Sequence, residues 1–268
     1  MKSKYIIGTG WWCNESGVAL DKDNRLAYGD DEIRGSLFQE KWIKSITENC
    51  QPEKIIIVDS GSPTPPPSTN FSDVEYVKLN ENAGHSSNHT GDLCGWSRGM
   101  IMSAMYALNC DCQYYVYVEQ DVLLKGNGII EHAISKMNKP YMFGSNKGKN
   151  QPLQQSFFII KRTHLSKFIS NFLSLNYRDD EIPAEVKFAL SSSPLYKIIP
   201  KWLFKGILPG TIIGRVTYRL QMMAAKQIAN FDPVPFGSGR DRPINFSDDF
   251  LYFQHASKDE LNEYEQSN

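Results

Sequence analysis

Two carboxylates in the segment YYVYVEQDVLLKG, Tyr114 to Gly126, are the side chains in this sequence best suited to chemistry. Glu119 and Asp121 follow a run of aromatic and β-branched residues that is typical of a buried strand. Because they are two residues apart, their side chains would point to the same side of an extended chain. Two such carboxylates offer hard oxygen ligands to Mg²⁺ or Mn²⁺, with phosphate oxygens completing the shell. The alternative is a pair of exposed acids that form salt bridges with nearby Lys or Arg.

The elements that would position this pair alternate along the first half of the chain. Strands are predicted in KYIIGTGWW, EKIIIVDSGS, VEYVKLNENAGH and YYVYVEQDVLL, and helices in SLFQEKWIKSITENC and WSRGMIMSAMYALNC. Continuous apolar strands separated by helices predict a parallel sheet that is covered on both faces. The polar ends of the four strands would meet at one edge, where such sheets bind ligands. Those ends are Gly8-Thr9-Gly10, Asp59-Ser60-Gly61, Asn82-Ala83-Gly84 and Glu119-Gln120-Asp121.

The second half is less regular. A strand and a helix are predicted in QQSFFIIKRTHLSKFISNFL, a helix in DDEIPAEVKFALSS and a strand in FLYFQH. The length of 268 residues fits one large α/β domain or two small ones, and we expect a single domain over 1–268.

Composition excludes several classes of protein. With 41% hydrophobic and 22% charged residues, the chain is typical of soluble globular proteins, and its net charge of −1 gives no electrostatic basis for binding nucleic acid. The N-terminal apolar run is too short for a signal peptide, and no stretch approaches the roughly 20 apolar residues of a membrane span. We therefore expect a cytoplasmic protein.

The five cysteines are expected to be reduced thiols, because nothing near Cys110 and Cys112 completes a zinc site.

Several of these segments together resemble the glycosyltransferases of the GT-A fold. Glu119-Gln120-Asp121 resembles their metal-binding Asp-x-Asp motif at the end of an inner strand. IIIVDSGS resembles the segment in which an Asp contacts the base or ribose of a sugar nucleotide, and LNENAG resembles the Asn-x-Gly loop. Arg98 resembles the Arg that opens the next helix. The resemblance covers roughly Tyr5 to Lys125. It departs from the family in the Glu at position 119 and in the longer segment HSSNHTGDLCG.

The resemblance implies a mixed, mainly parallel sheet flanked by helices, with a sugar-nucleotide half at 1–125 and an acceptor half at 126–268. It implies metal-dependent transfer of a sugar from a nucleotide-diphosphate donor to a hydroxyl of a glycan, lipid-linked or protein-borne acceptor. The metal would be Mn²⁺ or Mg²⁺, held by Glu119, Asp121 and His255. The implied donor contacts are Thr9, Asp59, Asn82 and Arg98, and the guanidinium groups of Arg240 and Arg242 also suit a diphosphate.

The late residues keep ordinary alternatives. The alternative to a metal ligand at His255 is an ordinary half-buried strand histidine. The alternative to a diphosphate site in GSGRDRP is a solvated basic turn. An inverting reaction also needs a carboxylate base, for which Glu185 and Asp180 are the candidates. Glu185 follows a proline that could start a helix, so it could merely stabilise the N-terminus of that helix.

Two other classes of protein remain open. A sugar-phosphate nucleotidyltransferase shares the sheet architecture but needs Arg and Lys in a glycine-rich N-terminal loop, and GTGWWCNESG contains neither. A non-catalytic sugar-nucleotide or glycan-binding domain would have no need to keep Glu119, Asp121 and His255 together.

One long segment is purely basic. From Val186 to Phe231 there is no acid, but there are seven Lys or Arg residues among apolar runs. This mixture predicts peripheral contact with an anionic membrane through 187–226. The alternative is that the apolar residues pack in the core. Pro194, Pro200 and Pro209 favour that alternative, because they interrupt any long amphipathic helix.

Overall fold

The computed structural model describes residues 3–15, 29–69, 71–85, 88–145, 151–206, 212–237 and 239–267. In these residues the strands are β1 (Tyr5–Trp11), β2 (Lys54–Asp59), β3 (Val74–Lys78), β4 (Gly84–His85), β5 (Asn88–His89), β6 (Tyr114–Val118), β7 (Val122–Lys125), β8 (Tyr141–Gly144), β9 (Gln154–Lys161), β10 (Asp232–Pro233) and β11 (Leu251–Gln254). The α-helices are α1 (Phe38–Asn49), α2 (Gly95–Leu108), α3 (Ile129–Ser135), α4 (Arg162–Leu173), α5 (Ala184–Ser192), α6 (Ile212–Ile228) and α7 (Lys258–Ser267). Short 3-10 helices span Asp31–Arg34 and Lys201–Phe204.

Seven strands form the main sheet in the order β10-β8-β9-β6-β1-β2-β3. Strands β6, β1, β2 and β3 are parallel, whereas β9 runs antiparallel between β6 and β8. The start of β9 therefore lies at the same edge as the ends of the parallel strands. The predicted class, an α/β protein with a mixed, mainly parallel sheet flanked by helices, is confirmed. Strands from both predicted halves of the chain share this sheet.

An apolar core lies on each face of the sheet. The first packs α1 and the small β7–β11 sheet against the main sheet, with Trp42 fully buried. The second packs α2, α4, α5 and α6, and in it Phe158 and Phe188 meet edge to face at 5.0 Å. Each large apolar side chain buried in this way contributes on the order of 1.5–3 kcal/mol. The edge that carries the polar strand ends is thus supported from both sides.

The predicted strand YYVYVEQDVLL is two strands. A turn interrupts it, because the Val122 amide donates to the Glu119 carbonyl (3.0 Å). Beyond the turn, β7 leaves the main sheet and pairs antiparallel with β11, with Leu124 opposite Tyr252. The expectation that Glu119 and Asp121 lie on one extended strand is therefore wrong.

The five cysteines are free thiols, and four of them are buried. Within the described ranges, no helix has the length and apolar character needed to cross a bilayer.

Candidate functional site

The turn between β6 and β7 is held by hydrogen bonds from three sides. The Glu119 amide donates to the Ser156 carbonyl of β9 (2.8 Å), and the Trp42 indole of α1 donates to the Glu119 carbonyl (3.0 Å). The side chain of Gln120 accepts from the Trp12 amide (2.7 Å) and donates to the Trp12 carbonyl (3.2 Å). The middle residue of the turn therefore ties it to the end of β1.

The two carboxylates of the turn converge on one amide group. Nε2 of Gln254, the last residue of β11, donates to Glu119 Oε2 (2.8 Å) and to Asp121 Oδ1 (3.0 Å). The other side of this amide is fixed, because Gln254 Oε1 accepts from Arg240 Nε (2.9 Å). The structure thus brings Glu119 and Asp121 together although they do not share a strand.

His255 adjoins the same pair. Its Nε2 lies 3.4 Å from Asp121 Oδ2, and its backbone is left-handed, with φ of 60°. The site therefore contains two carboxylates and an imidazole, which are ligand types that Mn²⁺ accepts. However, the described part of the chain contains no group of three or more His, Cys, Asp or Glu side chains arranged to hold a metal ion. The Gln254 amide nitrogen stands between the two carboxylates, so the predicted set of three ligands forms only if this amide moves.

The two arginines of the predicted basic turn have different surroundings. Arg240 is half-buried and contacts the acid pair through Gln254. Arg242 donates to the Gln254 carbonyl (2.7 Å) and forms an ion pair with Glu260 of α7. Arg242 therefore holds protein groups together, and its contacts give no support to its predicted role with a diphosphate.

Asp59 occupies a buried position at the end of β2. Its Oδ1 accepts from the Ser62 amide (2.9 Å), which closes the turn that follows the strand. Its Oδ2 is buried and has no hydrogen-bond partner among the described residues. A buried carboxylate oxygen without a donor is costly, so this atom is suited to a donor group from a ligand.

The strand end at Asn82 abuts the turn after Asp59. Gly61 has φ of +67°, and a Cβ at this position would lie 2.9 Å from the Asn82 nitrogen. The Asn82 side chain is exposed and accepts from the Gly84 amide (2.8 Å). Arg98 forms an ion pair with Glu81 (2.7 Å) and so braces the loop that precedes its helix. These contacts join the ends of β2 and β3 at this edge of the sheet.

Thr9 does not face a ligand surface. Its side chain is 2% exposed, donates to the Gly10 carbonyl (3.2 Å) and lies beside Trp42 under α1. A contact between Thr9 and a donor would require the covering residues to move.

The two candidate bases differ in their partners. Glu185 lies in the first turn of α5, is 8% exposed and accepts from Gln151 Nε2 (3.0 Å). Asp180 pairs with Arg178 (3.1 Å), and the hydrogen bond from that guanidinium lowers the pKa of Asp180. A lowered pKa makes a weaker base, so the surroundings favour Glu185.

Sequence reasoning missed two features of this region. Gln254 has no predicted role, and its place beside His255 at the end of a predicted strand is only a weak signal for one. Asp179 forms a buried ion pair with Lys187 (2.7 Å) and accepts from the Cys94 amide at the start of α2 (2.7 Å). Lys187 is therefore a buried residue and cannot contribute to a basic surface.

Comparison with known proteins finds likeness only among solved structures. No protein-family model and no curated protein matches the sequence. Similar structures include S. aureus TarS 1–349, at 10% identity and a TM-score of 0.42 over 76% of this chain and 56% of that one. The same TarS fragment in complex with UDP matches at 9% identity and a TM-score of 0.39, over 70% of this chain and 54% of that one. The mannosyltransferase PcManGT from Pyrobaculum calidifontis, in complex with GDP-Man and Mn²⁺, matches at 11% identity and a TM-score of 0.39, over 71% and 52%. The chain spans about half the length of these structures.

Proposed function

We propose that this chain is a glycosyltransferase that moves a sugar from a nucleotide-diphosphate donor to a hydroxyl group of a carbohydrate-type acceptor. The observation that carries the proposal is the convergence of Glu119 and Asp121 on one point at the carboxyl edge of the sheet. Open α/β sheets bind ligands at this edge, and paired carboxylates suit the metal complex of a diphosphate.

The donor nucleotide is assigned to the ends of β1 and β2. Asp59 Oδ2 is the unpartnered buried acceptor there, and it would accept from a hydroxyl of the ribose or an N–H of the base. Trp12 and Gln120 connect this position to the acid pair, so the nucleotide and its diphosphate would lie along one continuous edge.

Glu119 and Asp121 would hold Mn²⁺ or Mg²⁺, and a bound ion of this kind neutralises the charge on a leaving diphosphate. His255, whose Nε2 lies 3.4 Å from Asp121 Oδ2, would be the third ligand of the ion. Arg240 would turn toward the diphosphate once Gln254 releases the carboxylates. In an inverting reaction Glu185 would accept the proton of the attacking hydroxyl. Gln151, its hydrogen-bond partner, lies only a few residues before Ser156, which contacts the acid turn.

The test is a thermal-shift screen of UDP-, GDP-, ADP- and dTDP-sugars with and without Mn²⁺. A ligand at 100 times its Kd stabilises the folded state by about 2.7 kcal/mol, which raises the melting temperature measurably. We expect one nucleotide class to stabilise the protein in a Mn²⁺-dependent manner. Asp121→Asn should abolish the metal dependence, whereas the matched change at an exposed acid, Asp111→Asn, should preserve it.

The products distinguish the remaining classes of protein. A glycosyltransferase releases nucleoside diphosphate from the stabilising donor. A nucleotidyltransferase would instead consume pyrophosphate and form nucleoside triphosphate. Stabilisation without turnover, across a panel of glycan acceptors, would identify a binding domain. Absence of stabilisation by every nucleotide sugar would refute the proposal.

A further inference from the structure

The outer side of α6 is apolar. Its inner side is packed through Gly214, Met222 and Ala225. The opposite side exposes large apolar residues that recur at helical spacing, and two of them, Ile212 and Ile213, are 74% and 78% exposed. The others are Val216, Leu220 and Met223. The alternative that the apolar residues of this segment pack in the core therefore does not hold for these five side chains.

The preceding 3-10 helix extends this surface. Trp202 is 67% exposed. The element that carries it is fastened to α6, because Gln221 Nε2 donates to the Leu203 carbonyl (2.6 Å). Most of the exposed large apolar side chains in the described part of the chain lie between Leu195 and Met223. Contiguous exposed apolar area of this kind marks an interaction site. We call the outer side of α6 together with Trp202 the α6 surface.

The segment that forms the α6 surface carries only positive charges. Residues 186–231 contain no Asp or Glu. Lys187 and Lys205 are used in ion pairs with Asp179 and Glu181. Arg215, Arg219 and Lys226 follow one flank of the apolar stripe and make no ion pair with any residue that the structure describes.

The charges and the apolar residues together indicate what the α6 surface binds. A two-fold contact between copies of the chain would place the same patch against itself, and so would bring unpaired cations together without an acid to balance them. A lipid bilayer with anionic head groups satisfies both parts of the surface, because the apolar residues enter the acyl boundary while the cations remain with the head groups.

We propose that the α6 surface binds anionic membranes, with α6 lying flat in the interface. Because α6 packs against α5, which carries Glu185, the membrane would lie on the acceptor side of the candidate site. The inference itself rests on surface chemistry and does not depend on the proposed reaction.

The test is co-sedimentation of the whole chain with two kinds of vesicle, phosphatidylcholine alone and phosphatidylcholine with about one third phosphatidylserine. We expect binding to the anionic vesicles at low salt and at least a roughly tenfold loss of affinity as salt is raised. Leu220→Gln/Met223→Gln and Arg215→Glu/Arg219→Glu should each weaken binding by roughly tenfold or more.

Matched variants elsewhere control for general effects on the surface. Met102→Gln/Met105→Gln changes two exposed methionines of α2, and Lys136→Glu/Lys167→Glu reverses two exposed charges, so neither should alter binding. Absence of binding to anionic vesicles at low salt would overturn the proposal. So would concentration-dependent dimerisation without lipid that Leu220→Gln/Met223→Gln abolishes, because a second copy would then cover the surface.

Discussion

At the scale of single residues, the site depends on an amide that bridges two acids. Gln254 Nε2 places a partial positive charge between Glu119 and Asp121, at the position proposed for a cation. The proposed metal binding would therefore compete with this hydrogen-bonded arrangement for the same carboxylate oxygens. Arg240 strengthens the competition, since its guanidinium holds the amide with the nitrogen facing the acids.

Replacement of this amide tests the competition. In Gln254→Leu the carboxylates lose their shared donor, so we expect the metal-free protein to lose about 1–3 kcal/mol of stability. We expect the stabilisation by Mn²⁺ to be larger than in the wild type, since no amide has to be displaced. Thermal melts with and without Mn²⁺ measure both effects, and the exposed Gln51→Leu is the control. An unchanged response to Mn²⁺ would show that the acids do not bind the ion.

The unpartnered oxygen of Asp59 gives a second prediction. Asp59→Asn keeps a carbonyl for the Ser62 amide but removes the charge from the buried carboxylate. We expect nucleoside diphosphate binding to weaken by about 1.5–3 kcal/mol, the range for hydrogen bonds to charged groups. Calorimetric titration measures the Kd, with Asp111→Asn as the control. A lower melting temperature with the same Kd would mean that Asp59 serves only the turn.

Residue types explain what could be predicted at this scale. Glu119, Asp121 and Asp59 are acids that interrupt or end apolar runs, which is a visible departure from a strand pattern. Gln254 has no such signature, because an amide at the end of a strand is equally common on a surface. Its role appears only when β11 is placed beside β7.

At the scale of elements, the segment from Tyr114 to Lys125 shows that a hydrophobic pattern does not specify which sheet a strand joins. Its residues suit one long strand, yet β6 and β7 belong to different sheets. The cause is the pairing of β7 with β11, a contact between segments far apart in the sequence. The other predicted strands of the first half match because β1, β2 and β3 each stay within the main sheet over their whole length.

The loop before α5 is held by the buried pair of Asp179 and Lys187, whose side chains are each 1% exposed. Lys187→Met leaves the Asp179 carboxylate buried without its counter-charge, so we expect a loss of about 3–5 kcal/mol. The double variant Lys187→Met/Asp179→Asn should recover part of this loss, because the remaining amide is neutral and still accepts from the Cys94 amide.

Urea unfolding measures these stabilities. Lys167→Met, at an exposed position of α4, is the matched control and should change the free energy of unfolding by less than about 0.5 kcal/mol. A similarly small effect of Lys187→Met would contradict the burial of this pair.

At the scale of the whole molecule, many ionisable groups lie in the two cores. Burial raises the pKa of Cys94 to about 12, with the charge of Asp179 adding to the effect, and burial raises the pKa of Tyr141 to about 12. The unfolded chain releases these protons at lower pH than the folded chain. Stability is therefore unaffected by these groups at neutral pH and falls as pH rises above the ordinary thiol value of 9.0 toward 12.

The free energy of unfolding should accordingly decrease between about pH 9 and 11, with each unit of difference between folded and unfolded pKa contributing about 1.4 kcal/mol. Cys94→Ala removes one of these groups, so stability should fall less steeply with pH than in the wild type. Cys110→Ala, at a half-buried thiol, is the control and should keep the wild-type slope. Urea midpoints at several pH values measure the slope. Identical slopes for Cys94→Ala and the wild type would contradict the assignment.

The distribution of apolar surface at this scale was only partly predictable. The absence of acids from 186–231 is visible in the sequence, but the direction in which α6 faces is not. Small residues at Gly214 and Ala225 allow that side of the helix to pack closely, which turns the bulky residues outward.

The pairing of the acid turn with β11 also sets an order of events during synthesis. Gln254 is 133 residues beyond Asp121. At a translation rate of about 5–20 residues per second, roughly 7 to 27 seconds separate the two on the ribosome. During that interval β7 presents an unpaired edge, which is a template for adding strands from other chains. The nascent protein therefore passes through a stage in which the turn that carries Glu119 and Asp121 is followed by a strand without its partner.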